Sequence, residues 1–199
     1  MTATMRLTNR EARALFLQAH HLATPPKGPA TGTHLAGLVH DLGFVQMDSV
    51  NTLARAHDLI LWSRRPRYRA ASLRWLNARA RLTFEGWTHD AAIIPVEFFP
   101  FWRLKFARDQ AALERKWPKW RGPDFKREVD TVLAVIKERG AVCSRDFRGP
   151  ETASGTGWWD WHPSKTALEF LWRSGRLALG HRAGFNEQYE GVARVITAG

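Results

Sequence analysis

Residues 125–147 read FKREVDTVLAVIKERGAVCSRDF, and the organisation of the chain is decided in this stretch. Val129, Val132, Leu133 and Ile136 recur at spacings of three and four, which places them on one face of a helix over Phe125–Arg139, closed by Gly140. Ser144 stands where it would N-cap a short second helix, SRDF. Beyond a Gly/Thr/Ser-rich loop, Pro163 suits the first turn of a third helix that runs to about Arg173 and stops at Gly175. Arg176–His181 (RLALGH) then reads as a strand, with a turn near Gly184. Helix, short helix, longer helix and hairpin, in that order, make a winged helix-turn-helix unit.

The upstream half carries the same kinds of element in a less tidy order. Asn9–His20 is helical by spacing, with Ala12, Leu15 and Phe16 on one face, and Thr24–Gly32 (TPPKGPATG) is a loop. Thr33–Leu42 reads as a helix ended by Gly43, Phe44–Asp48 as an alternating strand, and Val50–Trp62 and Ser72–Arg79 as helices. Leu82–His89 alternates like a strand, Ala91–Leu113 reads as one or two helices interrupted near Pro95 and Pro100, and Lys116–Pro123 (KWPKWRGP) as a connection. The expected fold class is α+β and mostly helical, with tandem winged helix-turn-helix domains over 1–114 and 115–199. No internal repeat is visible in the sequence itself.

The 199 residues carry a formal charge of +11, and ten tryptophans within a 44% hydrophobic composition argue against disorder. Arginine far outnumbers lysine, which favours a partner rich in phosphate, nucleic acid before an anionic membrane surface. Cys143 is the single cysteine, so an internal disulfide and a metal site built on several thiolates are excluded, and the histidines have neither zinc-finger nor HExxH spacing. The N-terminal residues lack the pattern of a secretory leader and no apolar run reaches bilayer length, so the expected location is cytoplasmic.

Four constellations carry candidate chemistry. Gln46-Met47-Asp48 in a strand projects Gln46 and Asp48 to one side, a carboxylate and an amide suited to activating and positioning water; Asp48 or Ser49 as a helix cap satisfies the same residues. Glu85, Trp87 and His89 alternate in FEGWTH, either as a wall that handles a base or as a Glu–His hydrogen bond beside a core tryptophan. Arg55, Arg64, Arg65, Arg67, Arg69, Arg74, Arg79 and Arg81, followed by Lys116, Lys119 and Arg121, are interleaved with Trp62, Tyr68 and Trp75 and read as phosphate contacts or as solvated charge. Trp158-Trp159-Asp160-Trp161-His162 offers a packing surface or a wedge, and Lys165 and Arg173 fall on the polar side of the helix that follows, where a recognition helix would meet phosphates.

The segments LGFVQMDSVNTLARAHDLILWSR (42–64), FEGWTHDAAIIP (84–95) and WWDWHPSKTALEFLWRSGRLALGHRAGFNEQYE (158–190), in that order, resemble the winged-helix DNA glycosylases of the AlkZ/YcaQ type, and are similar in particular to the YcaQ branch with its Gln–apolar–Asp motif. The resemblance implies tandem winged helices around a basic cleft. It implies hydrolysis of the N-glycosidic bond of N7-alkylated purines in double-stranded DNA, including unhooking of interstrand crosslinks, by a monomer without metal or organic cofactor. Gln46 and Asp48 match the catalytic motif, with His89 as a third catalytic residue that holds water or phosphate. Glu85 and Trp87 match a substrate-binding segment in which Gly86 stands where an aromatic is expected. Arg55, Arg64, Arg65, Arg67, Lys165 and Arg173 are the expected DNA contacts. The family continues into a further winged-helix region, so the chain is expected to be a fragment or a short form. Two other readings fit the residues: a winged-helix DNA-binding regulator without chemistry, and a module whose tryptophans bind a partner.

Overall fold

A computed structural model describes residues 6–121, 124–147, 163–183 and 186–196. The first helix, α1 (Asn9–Ala19), opens on a reciprocal cap in which the Glu11 N–H donates to Thr8 Oγ1 and the Thr8 N–H donates to the Glu11 carboxylate. Its expected apolar face stays out of the core: Leu15 and Phe16 are exposed.

From there the first half runs α2 (Gly32–Leu42), β1 (Val45–Gln46), α3 (Ala56–Trp62), α4 (Ala70–Ala78), β2 (Thr83–Trp87) and β3 (Ala91–Pro95). The strands form one antiparallel sheet in the order β1–β3–β2. Leu35, Leu38 and Val39 of α2, Leu61 of α3, and Leu73 and Leu76 of α4 pack with Val45 and Ile93 into its core. Each such buried side chain is worth about 1.5–3 kcal/mol over the exposed state.

Two expectations fail in this half. Residues 50–55 are not helical, because Asp48 Oδ1 accepts the Val50 N–H at 2.8 Å and this local turn diverts the chain, so that α3 begins only at Ala56. Ala91–Pro95 is a strand rather than a helix: its short apolar run is the central strand, paired by β1 on one side and β2 on the other, and Ala92, Ile93 and Ile94 are buried.

The halves are joined by α5 (Phe99–Arg121), which carries helix through residues 116–121 where a connection was expected. Pro100 is accommodated in its first turn, where a missing N–H breaks no helical bond. The second half consists of α6 (Phe125–Arg139), a 3₁₀ turn at Ser144–Phe147, α7 (Pro163–Arg173), the hairpin β4 (Leu177–Ala183) and β5 (Asn186–Gly191), and α8 (Val192–Val195). Val142 exchanges both backbone bonds with Tyr189 of β5, at 3.0 and 2.8 Å. The extended segment after α6 thus pairs with the last strand of its half, as β1 pairs with β3. Both halves therefore share one order of elements, although the sequence shows no repeat. The tryptophan cluster at 158–161, His162 and the turn at Gly184 lie outside the described residues. Among the described residues, no helix is long and apolar enough to cross a membrane.

The halves meet through the β2–β3 hairpin. Glu85 of β2 is 3% exposed and accepts a fork from Arg182 of β4, with Nε 2.9 Å from Oε2 and the terminal nitrogen on Oε1. Trp172 Nε1 of α7 donates to the Glu85 carbonyl at 3.1 Å, and Trp87 meets the Trp172 ring edge-on at 5.8 Å. Arg81 donates to the Arg194 carbonyl of α8, a further tie between the halves. At the end of α7, Gly175 (φ 71°) lets the chain turn against Phe106 of α5, where a Cβ would collide with the ring.

Breaking the Glu85–Arg182 pair leaves a buried charge without its main partner. Glu85→Ala should lower stability by about 3–5 kcal/mol, read as the urea midpoint, and pairing Glu85→Leu with Arg182→Leu should recover part of the loss. A cost under about 1 kcal/mol for the single change would show that the halves are held by other contacts.

Candidate active site

Val45 is buried in the first-half core and Met47, partly buried, packs against it, while Gln46, Met47 and Asp48 all line a cleft of about 770 Å³. The cleft lies between the halves: Arg55 and His57 at the start of α3, Arg74 and Arg79 at α4, and Arg81 face Gly180, His181 and Arg182 of β4 and Glu190 of β5. A Cβ at Gly180 would collide with the Glu190 carboxylate, so the glycine makes room for that side chain in the wall.

His57, 6% exposed, accepts the Asp48 backbone N–H on Nδ1 at 3.2 Å. Its Nε2 lies 3.9 Å from Asp58 Oδ2, and the neighbouring oxygen Oδ1 accepts the Tyr68 hydroxyl at 2.7 Å. Burial depresses the imidazole pKa below its ordinary value, with Asp58 opposing, and a neutral ring whose Nδ1 accepts carries its proton on Nε2. Burial raises the Tyr68 hydroxyl, and its bond to Asp58 adds to the shift, so it remains a donor. Burial likewise pushes the Glu85 carboxyl up, against the opposing bonds from Arg182.

Gln46, Asp48 and Arg55 thus converge on one cleft, and Glu85 reaches its wall. Glu85 is committed to Arg182, however, and Arg182 is further held by Glu187 at 3.0 Å, so Glu85 supports the wall instead of standing free for a substrate. Trp87 leaves the cleft for the seam between the halves, where the Arg173 guanidinium lies 4.7 Å from its ring centroid. His89 is outside the cleft, because β2 ends at Trp87 and the Thr88 N–H closes a turn on the Asp90 carbonyl, which ends the strand alternation that would have aligned it with Glu85. The Gly86 site holds no missing aromatic: a Cβ there would meet Ile94 and Phe84 at 2.9 Å and Trp102 at 3.4 Å.

The expected phosphate contacts divide in the same way. Arg64 is buried and donates to the His20 and Ile60 carbonyls, each at 2.8 Å, so it is a structural clamp on the end of α1. Arg65 donates to the Lys27 carbonyl at 3.1 Å and also helps hold that loop. Arg67 is exposed away from the cleft, Lys165 is exposed at the start of α7, and Arg173 is half-buried with Glu169 at 3.5 Å. Seven of the eleven residues of α7 are buried, which withdraws most of that helix from contact with a groove. Lys116 and Lys119 are exposed on α5, and the Arg121 side chain lies outside the described residues. Sequence reasoning missed His57, Asp58 and Arg182. Two adjacent ionisable residues opening the apolar run AHDLILW were a readable signal for His57 and Asp58, whereas Arg182 is 97 positions from its partner and had none.

Arg64→Ala should cost about 1.5–3 kcal/mol of stability for the lost bonds of a buried cation, whereas Arg74→Ala, on the exposed side of α4, should stay within about 0.5 kcal/mol. Thermal melts of the two variants separate clamp from cleft surface, and equal melts would contradict the division.

No solved structure matches the chain. A family model described as DNA glycosylase AlkZ-like matches residues 39–198, a span that takes in β1, the cleft and both hairpins. The chain belongs to the AlkZ-like DNA glycosylase family.

Proposed function

We propose that the protein hydrolyses the N-glycosidic bond of N7-alkylated purines in double-stranded DNA, including bases joined across the two strands. The observation that carries the reading is the convergence of Gln46 and Asp48 on the cleft that also gathers Arg55, Arg74, Arg79 and Arg81. Family membership implies glycosylase activity of a DNA-repair kind; the lesion and the residue roles are our inference. The shared element order of the halves, each closing a hairpin onto its first extended segment, supports tandem winged helices. A cleft formed within one chain is compatible with a monomer, and DNA repair of this kind with a cytoplasmic location.

The chemistry asks little of a general acid. N7-alkylation leaves the purine positively charged, so the C1′–N9 bond breaks with its electron pair moving to N9, and the base departs neutral. Water adds to the developing oxocarbenium at C1′ and loses a proton. Asp48 stabilises the positive sugar and takes that proton, and Gln46 orients the water through its amide. The arginines along the cleft meet the backbone phosphates. An open cleft admits a base tethered to the opposite strand, which has no freedom to swing into a closed pocket.

Asp48→Asn should reduce release of 7-methylguanine from duplex DNA by a factor of about 10² or more while leaving DNA affinity within about threefold, as followed by alkaline cleavage and by fluorescence anisotropy. Undiminished turnover in that variant would remove Asp48 from the mechanism, and a wild-type protein that binds a defined operator without changing the DNA would indicate a regulator instead. Arg74→Ala and Arg79→Ala should each lower the slope of log affinity against log salt by about one.

A further inference from the structure

The strand that leads into the motif is only two residues long, Val45–Gln46, and Met47 and Asp48 lie beyond it in irregular chain, so the strand ladder alone does not hold Asp48. The Met47 N–H reaches the Ala91 carbonyl at 2.8 Å as the last ladder bond. One residue further the backbone leaves the sheet, and the Asp48 N–H has no strand carbonyl to meet. It donates to His57 Nδ1 at 3.2 Å instead, while the Asp48 carboxylate accepts the Val50 N–H at 2.8 Å. A buried side chain nine positions along the chain therefore does the work of a missing strand partner.

We propose that His57 is a positioning residue for Asp48: the lone pair on its Nδ1 holds the Asp48 backbone and so sets the carboxylate in the cleft, and the charge of Asp58, 3.9 Å from Nε2 and itself accepting the Tyr68 hydroxyl, favours the proton on Nε2. Only the Nε2-protonated neutral ring performs this role. A ring protonated on Nδ1, neutral or cationic, presents a donor to the Asp48 N–H and the bond is lost. The groups facing His57 divide evenly by sign: Asp58 on α3 and Asp48 after β1 favour the cation, whereas Arg55 before α3 and Arg182 of β4 oppose it. Burial is the largest influence and favours the neutral ring, so the bond is intact at neutral pH. Because the folded chain binds this proton more weakly than the unfolded chain, the stability it confers is complete above the ordinary histidine range and falls as pH drops below about 6.5.

The proposal rests on the catalytic reading of Asp48, and the test separates the two. An asparagine carbonyl occupies the place of Nδ1 and a glutamine carbonyl that of Nε2, so His57→Asn keeps the acceptor and His57→Gln moves it away. With 7-methylguanine duplex DNA, His57→Asn should keep kcat within about threefold of wild type. His57→Gln should lose roughly tenfold or more in kcat with DNA affinity unchanged, since a small displacement of a reacting group is costly. Hydrogen exchange at the Asp48 amide should be slow in the wild type and His57→Asn and fast in His57→Gln. Long-range ¹H–¹⁵N correlation should show the Nε2-protonated ring at pH 7.5, titrating below 6.5. A ring protonated on Nδ1, or equal amide exchange in the two variants, would overturn the proposal, and neither readout needs turnover. If the exchange pattern holds but the wild type releases no base, the glycosylase reading fails and the positioning contact stands.

Discussion

The Glu85–Arg182 fork is the constraint around which the rest is arranged. It joins strands 97 positions apart, one from each half, at a point where Glu85 is almost fully buried. Burying two charges is costly in a low-dielectric interior, and the cost is offset only where the geometry is bidentate and the remaining donors are occupied. Both conditions are met: Arg182 also holds Glu187, Glu187 accepts the Tyr189 hydroxyl at 2.5 Å, and the Trp172 indole takes the Glu85 carbonyl. The same two residues face the cleft, so the tie between the halves is also part of its wall. Together with the Trp172–Glu85 and Arg81–Arg194 bonds, this contact sets the second hairpin against the first sheet, with Gly180, His181 and Glu190 lining the same cleft as Asp48.

That arrangement explains why the basic surface is narrower than the arginine count suggests. Arg64 and Arg65 are spent on the carbonyls of the α1–α2 region, and Arg173 on Glu169 and the face of Trp87. Around the cleft stand Arg55, Arg74, Arg79 and Arg81, all from the first half and with Arg81 also tied to the Arg194 carbonyl, while the second half contributes the half-buried Arg182 together with Glu190. Both sides of the cleft carry both signs: Asp48, Asp58, Glu85 and Asp90 accompany the first-half arginines, and Glu190 accompanies Arg182. Under the proposed function the arginines of the α3–α4 side meet the phosphates.

Around Asp48 the design relies on short-range bonds more than on the sheet. A two-residue strand has little rigidity of its own, and the side chain that completes its backbone bonding comes from the helix that follows. The chain His57–Asp58–Tyr68 then links the cleft floor to the first-half core, since Tyr68 packs with Leu73 and Leu76. Local irregularity at 49–55 and order at Asp48 are thus compatible: the loop leaves the helical path, and the residue before it is pinned.

Much of the local structure was legible in the sequence. The 3–4 spacing of Val129, Val132, Leu133 and Ile136 together with Gly140 specifies α6 over Phe125–Arg139, and the reading of 45–48 places Val45 in the core and Gln46 and Asp48 at the cleft, which Met47 also lines. Such readings succeed because they depend on the repeat of the backbone, which any segment carries within itself. They fail where a neighbour decides the outcome. Ala91–Pro95 is apolar enough for helix or strand, and only pairing on both edges makes it a strand. Glu85, Trp87 and His89 were grouped by parity, but the turn at Thr88–Asp90 removed His89, and the second half claimed Glu85 and Trp87. The residue types and the strongly periodic helix α6 were determined by the sequence alone. Which arginines face outward, what grips the Asp48 backbone and what closes the cleft were decided by the tertiary structure, because each depends on two surfaces meeting that lie far apart along the chain.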